Sequence, residues 1–302
     1  PLSDIGSLER PVVWTCHDMW PFTGGCHYAW DCDRYTSECE TCPQLDGRTK
    51  DLSHRTWHRK RRIFESLDLT VVTPSTWLAE RARESSLFTD VSVEVIPYCI
   101  DCETFTARER TASRKRFGFE TDSFIIGHGA DYETPRKGYD SFKEALGQLD
   151  ITEFDSPVTV ATFGADDNKM INGPFETKNV GYLDDEALIQ FYSALDVTVA
   201  PSLVDNLPLI IMESLACGTP VVGFEIGGIE DMVDHEETGY LASPFDVSEI
   251  ATGIRWVDEQ DESEIRAAAQ RRIRERYSQQ SVTAQYIDLY DRLSPSTTDT
   301  RD

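Results

Sequence analysis

The sequence is short of lysine: of its 29 basic residues, 7 are lysine and 22 are arginine. It has no surplus of positive charge, because 54 Asp and Glu outweigh those 29 and leave a formal net charge of −25. A non-specific nucleic-acid binder needs the opposite sign, so that class is excluded. No apolar run approaches the ~18 residues of a membrane span. There is no internal repeat, and no low-complexity stretch before Ser294–Asp302, which is expected to be a disordered tail. The chain opens Pro-Leu-Ser-Asp-Ile, with neither Met nor a signal-peptide pattern, which suggests a processed, trimmed or truncated product.

Against these absences stand 302 residues, 39% hydrophobic and 10% aromatic. That is enough to bury a real core and suits two domains of roughly 100–200 residues each. The acidic residues are scattered rather than gathered in a tail. Their mutual repulsion destabilises a compact state unless salt screens it. An acidic, lysine-poor surface fits a salt-rich cytoplasm and resembles the composition of extremely halophilic microbes; an ordinary acidic cytosolic protein is the alternative.

Short β-branched runs alternate with helical patterns, which predicts a parallel, doubly wound α/β fold. Strands are expected at Pro11–Thr15, Leu69–Thr73, Val91–Pro97, Ser123–Gly127, Val158–Phe163, Val197–Pro201 and Pro220–Phe224. Helices are expected at Thr76–Ser85 behind a Ser75 cap, Lys137–Leu149, Asp185–Leu195, Pro208–Cys217 and Ser281–Leu293. The polar segment 106–122 reads as a boundary. It separates a first domain at 1–110, carrying a cysteine-rich insert at 26–42, from a second at 120–278. A helix at 281–293 is expected to pack back on the first.

The stretch from Pro201 to Val222 carries the chemistry. It follows the strand Val197–Ala200 and opens a helix at Pro208, and the carboxyl end of a parallel strand is where open α/β sheets bind ligands. Free amides at a helix start suit a phosphate. Asp205 lies in the loop and Glu213 inside the helix, so two carboxylates can address two parts of one ligand. A solvated loop Asp and an exposed helix Glu are the plain alternative.

Asp205-x7-Glu213, then Ala216-Cys217-Gly218-Thr219-Pro220-Val221-Val222 and Gly227-Gly228-Ile229-Glu230-Asp231, resembles the signature of the family 4 (group 1) retaining glycosyltransferases. The usual motif is Glu-x7-Glu; here Asp keeps the charge one methylene shorter. Val95–Phe105 resembles the family's Pro-Asn-Gly-Val-Asp-x3-Phe linker, Arg136-Lys137-Gly138 its Lys-Gly phosphate site, and Thr238–Leu241 its Thr-Gly-x-Leu turn. The resemblance implies a GT-B fold of two Rossmann-like domains, with the first lacking its opening strands. It implies that Glu213 holds the donor's ribose hydroxyls, Asp205 faces the donor sugar and Lys137 meets the diphosphate. The family often has an Arg five residues before that Lys, where this chain has Tyr132; Arg136 is the substitute. Asn206 and Leu207 offer backbone amides. His17, in Thr15-Cys16-His17-Asp18-Met19-Trp20, matches a family His at a strand end and is the acceptor-side catalytic candidate. With the cysteine-rich run, this segment looks like a subgroup active in exopolysaccharide assembly.

The implied activity moves a sugar from a nucleotide-diphosphate donor to a glycan or lipid-linked acceptor, with no nucleic-acid partner and no catalytic metal. A sugar-nucleotide epimerase of the same fold, or a non-catalytic nucleotide-sugar-binding fragment, are the alternatives. The expected place is the cytoplasm, with membrane association at its inner face through the acceptor. A complete second domain is expected to bind donor, while this chain alone transfers sugar poorly.

Of eight cysteines, Cys16, Cys99, Cys102 and Cys217 are dispersed and Cys26, Cys32, Cys39 and Cys42 are crowded. The crowded set allows a structural tetrathiolate zinc, two disulfides or free thiols. None is expected to be catalytic.

The charge makes the first testable statement. The melting temperature should rise from dilute buffer to molar KCl, where the Debye length shrinks to ~3 Å. A flat profile would count against a surface adapted to salt.

Overall fold

The computed structural model describes residues 2–6, 8–45, 50–129, 134–164, 171 and 173–294. The expectations for Tyr132 and for the tail after Ser294 lie outside them. The chain divides into two units, 1–98 with 282–302, and 99–281.

The first unit opens with a single-turn helix α1 (Leu2–Ile5) and holds the strands β1 (Val12–Thr15), β2 (Leu69–Thr73) and β3 (Ser92–Val95). These pair in parallel in the order β1-β2-β3. Two helices link them, α2 (Leu52–Phe64) and α3 (Thr76–Glu84). Ser75 caps α3, its hydroxyl accepting from the Leu78 N–H at 3.1 Å. Alternate residues of β2 go to opposite faces: Val71 packs with Trp57, Phe64, Leu78 and Phe88, whereas Val72 packs with Ile96, Val282 and Leu289. Lys60 is wholly buried beneath the first face. Its ammonium donates to the Trp20 and Thr23 carbonyls and lies 3.7 Å from the Trp20 ring centroid. Burial lowers its pKa to about 8.

The second unit holds α4 (Arg110–Phe117), β4 (Phe124–Gly129), α5 (Tyr139–Gln148), β5 (Val158–Phe163), β6 (Glu176–Asn179), α6 (Asp185–Ala194) and β7 (Val197–Val199). Then come α7 (Leu209–Ala216), β8 (Val221–Phe224), α8 (Ile229–Met232), β9 (Gly239–Ala242), α9 (Val247–Asp258) and α10 (Glu262–Arg276), and α11 (Gln279–Leu293) leads back into the first unit. Its six strands are all parallel, in the order β6-β5-β4-β7-β8-β9. Both faces are covered, as a parallel sheet requires. Phe124 and Ile126 enter one core with Phe142, Leu146, Ile250 and Ile254, and Ile125 enters the other with Ile189, Phe191 and Leu195.

The unit begins at Cys99, earlier than the polarity of 106–122 suggested. The arginines of α4 bind inside the unit. Arg114 donates to the Ala194 carbonyl (3.1 Å), the Thr121 carbonyl (2.6 Å) and Asp196 (2.7 Å), and Arg110 also reaches Asp196. Helix α5 starts two residues later than expected, because Gly138 takes φ 75° and breaks the turn.

His128 of β4 is buried, with its ring stacked 4.3 Å from Phe142 and its Nδ1 2.8 Å from the Val199 carbonyl. Its Nε2 is buried with no hydrogen-bond partner. Burial therefore lowers its pKa from 6.5 to about 4. The folded chain keeps this ring neutral, whereas the unfolded chain protonates it below 6.5. The stabilisation is complete above pH 6.5 and is lost as pH falls toward 4, at up to about 1.4 kcal/mol per pH unit. In His128→Gln, the slope of unfolding free energy against pH across that window should flatten relative to the parent, measured by urea titration.

Candidate functional site

From β4 the chain builds outward to β5 and β6, then returns to the other side of β4 as β7. This reversal is the switch point at which open α/β sheets leave a ligand crevice at their carboxyl ends. Two segments leave the sheet there, one reaching the short turn Pro135–Lys137 and the other running from Ala200 to Pro208. They are locked together. The Leu203 N–H donates to the Arg136 carbonyl at 2.7 Å. A Cβ on Gly138 would sit 1.7 Å from the Pro201 carbonyl oxygen, so no other residue fits.

Asp205 stands at the centre of this junction, its side chain 8% exposed. One oxygen, Oδ2, accepts from Lys137 Nζ at 2.7 Å, Arg136 Nη1 at 3.0 Å and the Ser202 hydroxyl at 3.4 Å. The other accepts from the Asn206 N–H at 3.0 Å. Arg136 therefore points the same way as Lys137, which adjacency in sequence alone did not settle. Two cations thus share one carboxylate oxygen at the junction. The Gly227-Gly228 pair fits closely behind: a Cβ on Gly227 would lie 2.0 Å from the Asp205 carbonyl oxygen, which accepts from the Gly228 N–H at 3.2 Å. The Asn206 and Leu207 side chains are buried, and the Asn206 amide proposed for the ligand is already engaged by Asp205.

Glu213 is three-residue-spaced from Ile210 on α7 and faces α6 rather than open solvent. Its Oε2 accepts from the Tyr192 hydroxyl at 2.9 Å. Burial pushes the Glu213 carboxyl up from its ordinary range, and the hydroxyl that bonds the charged form opposes this. Tyr192 is fully buried, and burial, with Glu213 beside it, holds the phenol protonated. Tyr192 as a partner was invisible in the sequence, where its helical spacing marked it only as core.

His17 belongs to the first unit, just beyond β1, and is exposed. Its Nδ1 lies 2.8 Å from the Tyr98 hydroxyl, and the two rings stack at 5.5 Å. In the sequence Tyr98 stood only as the replacement for an Asn of the family linker.

Cys26, Cys32, Cys39 and Cys42 line one cavity of about 20 Å³, room for a single water-sized occupant. All are free thiols, so two disulfides are not formed. Burial raises the Cys26 thiol and pushes Cys39 to about 11, while the Gly24 N–H donates to the Cys39 sulphur at 3.1 Å. The thiols surround a common space, without three of their sulphurs lying within 4.8 Å of one another. Among the described residues the metal-ligand atoms that gather within 4.8 Å of one another are those of Glu38, His54 and His58.

The junction predicts a contrast between two glycines. Gly138→Ala should cost more than the ~1–2 kcal/mol of a left-handed residue alone, because it also forces the two loops apart. Gly147→Ala, in α5 with open space around its Cβ position, should stabilise by roughly 0.5–1 kcal/mol. Denaturant midpoints of the two variants check both signs.

The chain is similar to known proteins along much of its length. Over 296 residues the chain is 25% identical to WcaC, a colanic acid biosynthesis glycosyl transferase of Escherichia coli, covering 93% of this chain and 68% of that one. Over 178 residues it is 29% identical to a D-inositol 3-phosphate glycosyltransferase of Geodermatophilus obscurus, 54% of this chain and 39% of the other. Among solved structures, sucrose-phosphate synthase from Thermosynechococcus elongatus superposes with a TM-score of 0.68 at 20% identity, over 93% of this chain and 67% of that one. Anabaena HepE in complex with UDP-glucose superposes at 0.66 with 19% identity, over 94% and 73%. These likenesses place the fold in the GT-B class. The family model for glycosyl transferases group 1 matches residues 109–276, more than half of the chain, and the chain belongs to that family.

Proposed function

We propose that the chain acts as a retaining glycosyltransferase, moving a sugar from a nucleoside-diphosphate donor to a hydroxyl of a glycan or lipid-linked acceptor. The observation that carries this reading is the convergence of Lys137 and Arg136 on one oxygen of Asp205, at the switch point of a group 1 family member. Both cations are held ready by a carboxylate that a diphosphate can displace. As the bond from sugar to diphosphate breaks, negative charge builds on the leaving oxygens, and Lys137 and Arg136 offset it. Asp205, released from them, turns to the sugar's hydroxyls. Glu213 accepts from the vicinal hydroxyls of the ribose. The sugar passes through an oxocarbenium-like state, and the acceptor hydroxyl attacks from the face the diphosphate leaves. His17 takes the acceptor's side of the reaction. Among the described residues no helix is long and apolar enough to cross a membrane, so a lipid-linked acceptor would be met at the membrane surface.

HepE has been solved with UDP, and with UDP-glucose, which makes UDP-glucose the first donor to test and UDP the first product. Calorimetry in molar KCl should give binding to the parent. Glu213→Gln should lose about 10–150-fold, the equivalent of a charge-assisted hydrogen bond of ~1.5–3 kcal/mol, with little change in melting temperature. The pH dependence has a defined sign. Binding needs the Glu213 carboxylate, whose pKa is raised by burial, so affinity should fall as pH drops through that raised value. Tyr192→Phe removes a bond to the charged form and should move the midpoint higher. Unchanged affinity in Glu213→Gln would overturn the assignment. Conversion of donor to its epimer without acceptor would mark an epimerase, and binding without turnover a non-catalytic protein.

A further inference from the structure

A second cluster lies in the first unit and shares no residue with those assigned to sugar transfer. His54 and His58 stand four residues apart on α2 and so share a face. Their ring centroids are 4.3 Å apart, with the planes at 76°. Glu38, from the cysteine-rich segment, inserts a single carboxylate oxygen between them. Its Oε1 is 3.0 Å from His54 Nδ1 and 2.5 Å from His58 Nε2. Glu40 adds a second carboxylate 4.0 Å from His54 Nδ1. His54 Nδ1 is buried and has no hydrogen-bond partner, although the carboxylate is so near. The close approach is therefore not along a hydrogen-bond direction. A desolvated nitrogen without a bond calls for another partner.

The supports of the cluster are fixed independently of it. Arg34 Nη1 donates to the Glu40 and Thr41 carbonyls at 2.7 and 2.6 Å. The Ser86 hydroxyl donates to the Ser37 carbonyl. Asp51 caps α2, accepting from the Ser53 and His54 N–H groups at 2.9 and 3.2 Å, and accepts from the Cys42 N–H at 2.7 Å with its other oxygen. Trp57 packs edge-on against His58 at 5.0 Å. The loop is thus tied to the cap of α2 on one side and to Ser86 on the other, which is the preorganisation a metal site needs.

We propose that Glu38, His54 and His58 bind one divalent transition-metal ion, zinc or a close analogue, with Glu40 within reach of the fourth position. Two imidazoles and a carboxylate suit zinc, cobalt or nickel, whereas calcium and magnesium take all-oxygen sets. The two carboxylates balance the charge of the ion. The ion ties the segment 34–42 to α2 and so fixes the wall of the neighbouring thiol cavity, which Glu40 also lines. Its donors are nitrogen and oxygen, which separates it from a site built on the four cysteines.

Cobalt(II) distinguishes the two. The full chain, stripped with chelator and kept reduced in molar KCl, is titrated with cobalt(II) and then with zinc. One cobalt should bind per chain, giving weak visible d–d bands without a thiolate-to-cobalt charge-transfer band, and zinc should displace it. His54→Gln and His58→Gln should each weaken binding at least about tenfold, while their metal-free melting temperatures match that of the metal-free parent. Zinc should raise the melting temperature of the parent and not of the variants. A charge-transfer band would place the ion on the cysteines and overturn the proposal, as would equal binding in parent and histidine variants, or no binding at all.

Discussion

One carboxylate oxygen holds together the switch point of the second unit. Asp205 Oδ2 gathers Lys137, Arg136 and Ser202, and through them joins the segments that leave β4 and β7. The sheet order places these two segments side by side, Gly138 and Gly227 let the backbones close on one another, and the pair of cations completes the junction. The arrangement holds two cations at the crevice without leaving them bare. Exchange of one anionic partner for another is less costly than desolvating free ammonium and guanidinium groups, because the burial has already been compensated by Asp205.

The same constraint explains the division of labour between the two carboxylates. Asp205 is paired with cations, whereas Glu213 meets a neutral phenol in a buried setting and is pushed toward protonation. A carboxylate in the second situation gains most from ligand hydroxyls that donate to its charged form.

Much of the frame was legible in the sequence. β2 and β5 fall on the residues that their β-branched runs indicated, and β1, β4, β7 and β8 lie within two residues of expectation at each end. β6 was not seen, because Glu176–Asn179 is a polar edge strand with no apolar alternation. β9 was taken for a turn, since Gly239 and Thr238 resemble one. Helix α2 was missed for a more interesting reason: its buried face is Ser53, Trp57, Lys60 and Phe64, a helical spacing with two of its four positions polar. At the site, Asp205, Lys137 and Glu213 came through a motif. Tyr192 and Tyr98 did not, because each gains its partner only from another part of the chain, and His54 and His58 did not, because the helix that brings them together was itself missed.

The two units also differ in how they are written along the chain. The second is one unbroken segment, 99–281, whereas the first is assembled from the beginning and the end. Its inner strand β2 has one face closed by local neighbours and the other by Val282 and Leu289. During synthesis from the amino end, the second unit can complete its own core while the first still presents Val72 and Ile96 to water. A helix made after the second unit is the lid on a sheet made before it. For that interval the early unit carries an uncovered apolar stripe, and the fold's vulnerability to misassembly is concentrated there.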